Sequence, residues 1–257
     1  MHFLGSSIIP LYYGIEVELH TRHEVISRND IVDKFRDVMN YDDLGNRKEF
    51  ILCKHDGSLH ADYGFELVST NCSFEYHKTK FWNKFFDFNP NQYVKAYHGF
   101  NCGVHIHFSR SAFTTNQMKR LNCFYNNPQN RNLIVELSGR DENNYCRFHS
   151  MIDFNSPIKT RNQKYSVINF DNTIEIIIFR SNIKPISFFR YLEFVHSVNL
   201  WIRSSHKNNA DDLHHHDYFD WLLKNVHKDY ANLLIFLDDK EYFEHLKHIE
   251  SWKTIYN

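Results

Sequence analysis

The chain of 257 residues is long enough to form one large domain, or one domain with a small appendage. Its composition, with 42% hydrophobic, 16% aromatic and 24% charged residues, supports a sizeable buried core and excludes an intrinsically disordered protein. The 30 basic and 31 acidic residues give a formal net charge of −1. This balance argues against a general nucleic-acid-binding surface but leaves a local basic groove open.

The cysteines and the apolar segments bear on the cellular compartment. The five cysteines form no Cys-x-x-Cys pair and no zinc-finger spacing, their number is odd, and the chain has no recognisable signal peptide. We therefore expect reduced thiols and a cytoplasmic location, in the host cytoplasm if the protein is viral. No apolar run approaches the roughly 20 residues of a transmembrane helix, so no membrane partner is expected.

Hydrophobic periodicity predicts an α+β fold. Period-two alternation predicts strands at residues 11–20, 50–53, 64–69, within 96–109, and in one or two segments of 164–179. Apolar residues at helical spacing predict helices at residues 24–40, 75–89, 116–126, 186–203, 218–226, 230–237 and 241–252. Asn29 or Asp30 is the expected N-cap of the first helix, and residues 131–137 form a further apolar run. We expect an antiparallel sheet from the first two thirds of the chain, backed by helices, many of them C-terminal.

The stretch Asn101–Arg110 (NCGVHIHFSR) places two histidines two residues apart in an apolar run. In a strand, His105 and His107 would project from the same face. Gly103, just before the pair, would let backbone or ligand approach closely. The alternative is a pair of histidines on the solvated face of an edge strand.

Carboxylates occur at similar positions in other predicted strands. Glu16 and Glu18 share one face of the first strand, and Glu66 lies in the strand that follows the Asp56-Gly57 turn, so that Asp56 and Glu66 could approach each other across a hairpin. A solvated strand face is the alternative for these acids. Glu175 lies in a near-continuous β-branched run of the kind that is buried on both faces. A buried carboxylate costs several kcal/mol unless it is paired or binds a metal. Because carboxylates outnumber histidines and no HExxH motif is present, Mg²⁺ or Mn²⁺ is expected rather than Zn²⁺.

Basic residues accompany these acids along the chain. Each could be an ordinary surface residue, but around a cluster of acids they would suit an anionic substrate such as a nucleoside triphosphate. The candidates are Arg140, Arg161, Lys164 and Arg180, with Asn169 nearby. The sequence contains no Walker A motif and no GxGxxG, so a nucleotide site would have to be built from carboxylates and metal ions.

An ordered set of short motifs resembles the amidoligase family of glutamine synthetase-like carboxylate–amine ligases, of the phage and bacterial type. The motifs, in chain order, are GIEVE, DGSL, GFELVS, CGVHIHFSR, SGR, a basic residue before VIN, and TIE. The resemblance implies a curved antiparallel sheet that forms a funnel, a catalytic domain over residues 1–200, and a C-terminal helical extension over 201–257 packed on that domain. It also implies an ATP-dependent ligase that forms an amide or isopeptide bond through an acyl phosphate, with Mg²⁺ or Mn²⁺. The carboxylate and amine substrates, which could include a peptide or a modified nucleotide, and the oligomeric state stay open.

The resemblance also implies roles for individual residues. Glu16 and Glu18 would each serve one of two metal sites, Glu66 would be a further ligand, and His105 and Glu175 would complete the second site. His107 would lie near the transferred phosphate or the substrate. The expected catalytic residues are Asp56, as the acceptor of the amine proton, Glu66, His107 and Arg140. The expected nucleotide- or substrate-binding residues are Arg161, Lys164, Asn169 and Arg180.

The chain departs from the family pattern after the late glutamate. The family reads TIE, one residue, then arginine, whereas this chain has Ile177 at that position. By strict alternation Arg180 lies on the opposite face from Glu175, so it could replace that arginine only if a β-bulge intervenes. Ile177 therefore favours a catalytically weakened interaction protein as one alternative. A metal-dependent hydrolase or phosphotransferase using the same acids is another.

Overall fold

The computed structural model has an α+β fold in which helices pack against one face of a curved, open antiparallel sheet. It describes residues 9–22, 27–41, 45–54, 59–60, 62–96, 102–148, 165–204, 213–225 and 228–244. The sequence-based α+β prediction and the antiparallel sheet are confirmed. Within the described part of the chain, no helix is both long and apolar enough to cross a membrane.

The sheet is built around its first strand. Its strands are β1 (Tyr13–Thr21), β2 (Ile51–Lys54), β3 (Gly64–Ser69), β4 (Val94–Lys95), β5 (Gly103–Phe108), β6 (Ile168–Asn169) and β7 (Ile174–Arg180). They follow the order β2-β3-β1-β5-β7-β6, and β4 pairs with the end of β1. Every pairing is antiparallel. Because β1 lies between β3 and β5, its side chains can meet residues from both neighbours.

The helices begin and end largely where the sequence predicts. They are α1 (Arg28–Met39), α2 (Phe74–Tyr76), α3 (Trp82–Asp87), α4 (Thr115–Asn126), α5 (Arg131–Ser138), α6 (Pro185–Ser204), α7 (His215–Asn225) and α8 (Ala231–Asp239). Ser27, rather than Asn29 or Asp30, caps α1, because its hydroxyl accepts the Asp30 N–H at 3.3 Å. Thr114 and Gln117 form a reciprocal capping box at α4.

The structure corrects or completes the sequence-based description of three segments. The helix expected over residues 75–89 is interrupted by a π-helical turn at His77–Phe81, between α2 and α3. The apolar run 131–137, for which the sequence alone predicts no element type, forms helix α5. Residues 241–244 form a turn in which Glu241 has a φ of 60°, and the rest of the predicted helix 241–252 lies outside the described residues.

The core lies between one face of the sheet and the helices. Tyr13, Ile15, Val17 and Leu19 are fully buried and alternate along β1 with the residues of the opposite face. Fully burying such a side chain contributes roughly 1.5–3 kcal/mol. The polar side chains of β1, β3, β5 and β7 lie on the opposite face.

Aromatic and polar contacts join the helices to this core. The Trp82 ring lies 4.7 Å from that of Phe188, which connects α3 to α6. His77 is buried, its Nε2–H donates to the Tyr13 carbonyl at 2.7 Å, and its Nδ1 accepts the Trp82 Nε1–H at 3.2 Å. These two bonds require the neutral imidazole. Burial accordingly lowers the pKa of His77 to about 4, although the bond to the Tyr13 carbonyl opposes the shift.

The last two helices pack on α6 through buried polar groups. The Ser197 and Tyr218 hydroxyls lie 2.6 Å apart and join α6 to α7. The buried Glu193 carboxylate accepts the Leu233 N–H of α8 at 2.8 Å and lies 3.1 Å from Lys78 Nζ. The division into residues 1–200 and 201–257 stays a prediction.

Candidate metal centre

The polar face of the sheet brings together six of the residues singled out by the sequence. In the strand register Glu16 faces His105, Glu18 faces Glu66, and His107 faces Glu175. Residues directly opposite in an antiparallel pair project from the same face. The acids of three strands and the histidine pair of a fourth therefore form one surface, as the i, i+2 spacing predicts.

Glu16 and Glu175 contact both histidines. The Glu16 Oε2 atom lies 3.6 Å from His105 Nδ1 and 3.4 Å from His107 Nε2. The Glu175 Oε1 atom lies 3.5 Å from His105 Nδ1 and 3.4 Å from His107 Nε2. All four side chains are between 18% and 22% exposed, so a small ion could reach them from solvent while their charges are only partly screened.

Two overlapping donor groups arise from this packing. Glu16, Glu66 and His105 form one, and Glu16, His107 and Glu175 form the other, with donor atoms within 4.8 Å of one another in each group. Glu16 is common to both. Each group offers two carboxylates and one imidazole, a donor set suited to Mn²⁺ and, with water as further ligands, Mg²⁺.

The environment of His107 is a test of whether a cation fits. Its Nδ1 lies 2.9 Å from the Thr173 hydroxyl, whereas its buried Nε2 has no hydrogen-bond partner among the described residues. That Nε2 nonetheless lies 3.4 Å from two carboxylates, Glu16 and Glu175. A nitrogen lone pair facing two anions needs a proton or a metal ion between them, so this donor set fits a divalent cation.

The electrostatics of the cluster show how strongly it favours positive charge. Burial of Glu16 would raise its pKa, but the close approach and charge of His105 and His107 hold that pKa well below its usual range. Burial of His105 would lower its pKa, but the close approach of Glu16 and the charges of Glu18 and Glu175 raise it to about 9. The close packing of carboxylates and imidazoles thus favours the anionic form of Glu16 and the cationic form of His105.

Glu18 is placed differently from Glu16. It is buried, its Oε2 accepts the Gly103 N–H, and its Oε1 lies 3.8 Å from His105 Nε2. Within the described residues it belongs to neither donor group. The resemblance implies one metal each for Glu16 and Glu18, whereas the geometry makes Glu16 the shared residue and groups His107, not His105, with Glu175.

Arg140 lies at the edge of this surface and is buried. Its Nε donates to the Ile178 carbonyl at 2.8 Å, and its Nη2 donates to the Ile177 carbonyl at 2.5 Å. Its Nη1 lies 3.3 Å from the point where a Cβ at Gly103 would be, and His105 Nε2 lies 3.1 Å from the same point. Gly103 therefore leaves room for the guanidinium next to the histidine, the close approach that the glycine predicts.

The register of β7 changes along its length. Ile106 pairs with Ile176 and Val104 pairs with Phe179, so two steps on β5 correspond to three on β7. This extra residue is a β-bulge. It places Arg180 opposite Gly103, and hence on the same face as Glu175. The structure therefore contains the β-bulge that Arg180 needs in order to share a face with Glu175.

Two polar residues support the cluster without having been given a metal-binding role. Asn169 Nδ2 donates to Glu175 Oε2 at 3.2 Å, which orients that carboxylate. Thr173, whose hydroxyl contacts His107, was missed by the sequence reasoning, and its only signal is its place directly before Ile174-Glu175. Lys54 was also missed and lies opposite Glu66 in the β2–β3 register. Asp56, Arg161 and Lys164 lie outside the described residues.

Comparison with models of known protein families and with curated proteins finds no match to this chain.

Proposed function

We propose that this protein is an ATP-dependent carboxylate–amine ligase of the amidoligase type. The observation that carries the proposal is the pair of donor groups that share Glu16 on the polar face of an antiparallel sheet. Arg180 adds support because the β7 bulge turns it toward the same face. Clustered carboxylates for metal ions and an adjacent arginine are what a triphosphate site without a glycine-rich loop needs.

The metal ions would be held by Glu16 with Glu66 and His105, and by Glu16 with His107 and Glu175. When bound, Mg²⁺ or Mn²⁺ would neutralise phosphate oxygens and charge that develops during phosphoryl transfer.

The chain's own residues would position the reactants. Arg180, an exposed residue, would bind an anionic group, either a phosphate or the acid substrate. Asn169 would keep the Glu175 carboxylate in one orientation through its amide hydrogen bond. Asp56 is still the proposed acceptor of the amine proton. The acid and amine substrates, Arg161 and Lys164 as anion ligands, and a cytoplasmic location belong to the same proposal.

A metal-dependent hydrolase is the second candidate. The observation that favours it is the shared Glu16 with one histidine in each donor group, because a carboxylate between two metal positions also suits activation of water. The two candidates differ in their need for nucleotide. The alternative of an interaction protein loses its main argument, since Arg180 supplies an arginine to the face that Ile177 leaves without one.

The first test is calorimetric titration with a non-hydrolysable ATP analogue in Mg²⁺, in Mn²⁺ and without a divalent ion. Wild type, Glu16→Gln and His105→Ala are compared, with Glu75→Gln as a control because Glu75 is exposed on α2, away from the polar face. The ligase proposal expects metal-dependent binding in wild type and Glu75→Gln that is lost in the other two variants. Absence of nucleotide binding with both metals, together with retained Mn²⁺ binding, would refute the ligase and favour the hydrolase.

A further inference from the structure

The β7 bulge determines which face Arg180 occupies. Between the pairs Ile106–Ile176 and Val104–Phe179, β7 has one residue more than β5. If that extra residue were absent, alternation would put Arg180 on the helix-facing side of the sheet. The bulge is therefore a condition for any contact between Arg180 and a ligand on the carboxylate and histidine face.

Arg140 donates hydrogen bonds to the backbone carbonyls of this bulge. A bulge removes carbonyls from the regular ladder, and here the carbonyls of Ile177 and Ile178 both accept hydrogen bonds from the Arg140 guanidinium. The planar fork of arginine can reach two neighbouring carbonyls at once, which a single lysine ammonium cannot do in the same geometry.

The loop after α5 holds Arg140 in place for this contact. Gly139 ends α5 with a φ of 74°, a left-handed conformation that favours glycine. The Ser138 hydroxyl donates to the Arg140 carbonyl at 3.0 Å. A Cβ at Gly139 would lie 3.8 Å from both Cβ and Cδ of Arg180, so the Arg180 stem runs alongside this loop.

We propose that Arg140 is a positioning residue that holds the β7 bulge and thereby keeps Arg180 on the metal face, where Arg180 binds the anionic part of the substrate. This inference rests on the proposed function for the identity of the anion, a polyphosphate. It assigns Arg140 an indirect role in place of direct contact with the substrate.

The test is a double-mutant cycle read by calorimetry with inorganic tripolyphosphate in the presence of Mn²⁺. The variants are Arg180→Gln, Arg140→Lys and the double variant, with Arg36→Gln as a charge control because Arg36 lies on α1. Losing one arginine–phosphate interaction is expected to weaken binding by about tenfold or more. Arg140→Lys should weaken binding by several-fold alone and should have no further effect in the Arg180→Gln background, because both changes remove the same contact.

Titration with Mn²⁺ alone keeps the result interpretable. All variants should bind Mn²⁺ as wild type does, since neither arginine belongs to a donor group. If Arg140→Lys does not fold, Arg140→Gln replaces it in the same cycle. If neither variant folds and Arg180→Gln binds tripolyphosphate with the wild-type affinity, the inference is overturned.

The outcomes separate this inference from the ligase proposal. Additive losses of binding free energy in the cycle would mean that Arg140 contacts the anion itself, which would overturn the inference. An unchanged tripolyphosphate affinity in Arg180→Gln, or no tripolyphosphate binding by wild type, would overturn it as well. Binding of tripolyphosphate with the expected non-additivity, but no binding of the ATP analogue, would retain the inference and refute the ligase.

Discussion

Because the two proposed metal sites share Glu16, Glu16→Gln is expected to abolish metal binding at both. Glu16 contributes a carboxylate to both donor groups, whereas Glu66 and Glu175 each contribute to one. Its Oε2 atom lies 3.6 Å from His105 Nδ1 and 3.4 Å from His107 Nε2, midway between the histidines of the two groups. The glutamine keeps the shape of the side chain and removes its charge.

The size of the effect follows from the loss of a charged partner at both positions. Losing one charged hydrogen-bonding partner costs about 1.5–3 kcal/mol, which corresponds to roughly 10- to 100-fold in affinity. This is a lower limit, because each group of three ligands would keep only one carboxylate and one imidazole. We therefore expect at least this loss for both ions in Glu16→Gln.

The assay is Mn²⁺ titration by calorimetry, with the stoichiometry as the main readout. Wild type should bind two ions, Glu16→Gln should bind neither at the wild-type affinity, and Glu66→Gln and Glu175→Gln should each keep one. Circular dichroism checks that each variant is folded. If Glu16→Gln kept one ion at full affinity, or if Glu66→Gln alone removed both, Glu16 would not be the residue that the two sites share.

Three further predictions concern stability and the histidine site. The folded-state pKa of His77, about 4, lies below its ordinary value, so the unfolded state binds the proton first. Between roughly pH 7.5 and pH 5 the free energy of unfolding should therefore fall by about 2 kcal/mol more in wild type than in His77→Gln. Urea denaturation of both proteins across this range measures the difference, and an equal pH dependence would contradict the assignment. Glu193→Ala should destabilise the fold by about 3–5 kcal/mol, because it leaves Lys78 and the Leu233 N–H without their buried partner. Glu193→Gln keeps a hydrogen-bond acceptor, so its free energy of unfolding should fall less than that of Glu193→Ala in the same denaturation assay. An equal fall in both variants would show that hydrogen bonding to α8 is unimportant. Gly103→Ala adds a Cβ 3.1 Å from His105 Nε2. The Mn²⁺ affinity of the site that contains His105 should therefore fall by roughly 10-fold or more, whereas the site that contains His107 should keep its affinity. Loss of Mn²⁺ binding at both sites would contradict separate donor groups.

The network around His77 explains why the interruption between α2 and α3 escapes a sequence-based prediction. Residues 75–89 have a helical apolar period, and nothing in that period distinguishes a π-helical turn from an α-helical one. The wider turn at His77–Phe81 accompanies a buried imidazole that bonds both to the carbonyl of β1 and to the Trp82 indole. These partners come from the packing of the segment on the sheet, which the local pattern does not contain.

The bulge in β7 is the feature of the candidate site that the sequence conceals most completely. Residues 176–179 are uniformly apolar, so a shift of one residue changes no visible polar pattern. Only the pairing with β5 and the contact with Arg140 show that the shift exists. The consequence is large because a one-residue shift moves every later side chain to the other face of the sheet.

Local sequence patterns are enough to predict the α+β class, most element positions, and the composition of the polar face. Each of these follows from local geometry, since residues two apart in a strand share a face whatever the strand pairs with. The tertiary structure alone decided that Glu16 lies between His105 and His107, that Glu18 bonds to the Gly103 backbone, and that Arg180 joins the same face. These facts depend on strand order, register and a bulge, which are set by contacts between residues far apart in the chain, and such contacts leave no period in the sequence.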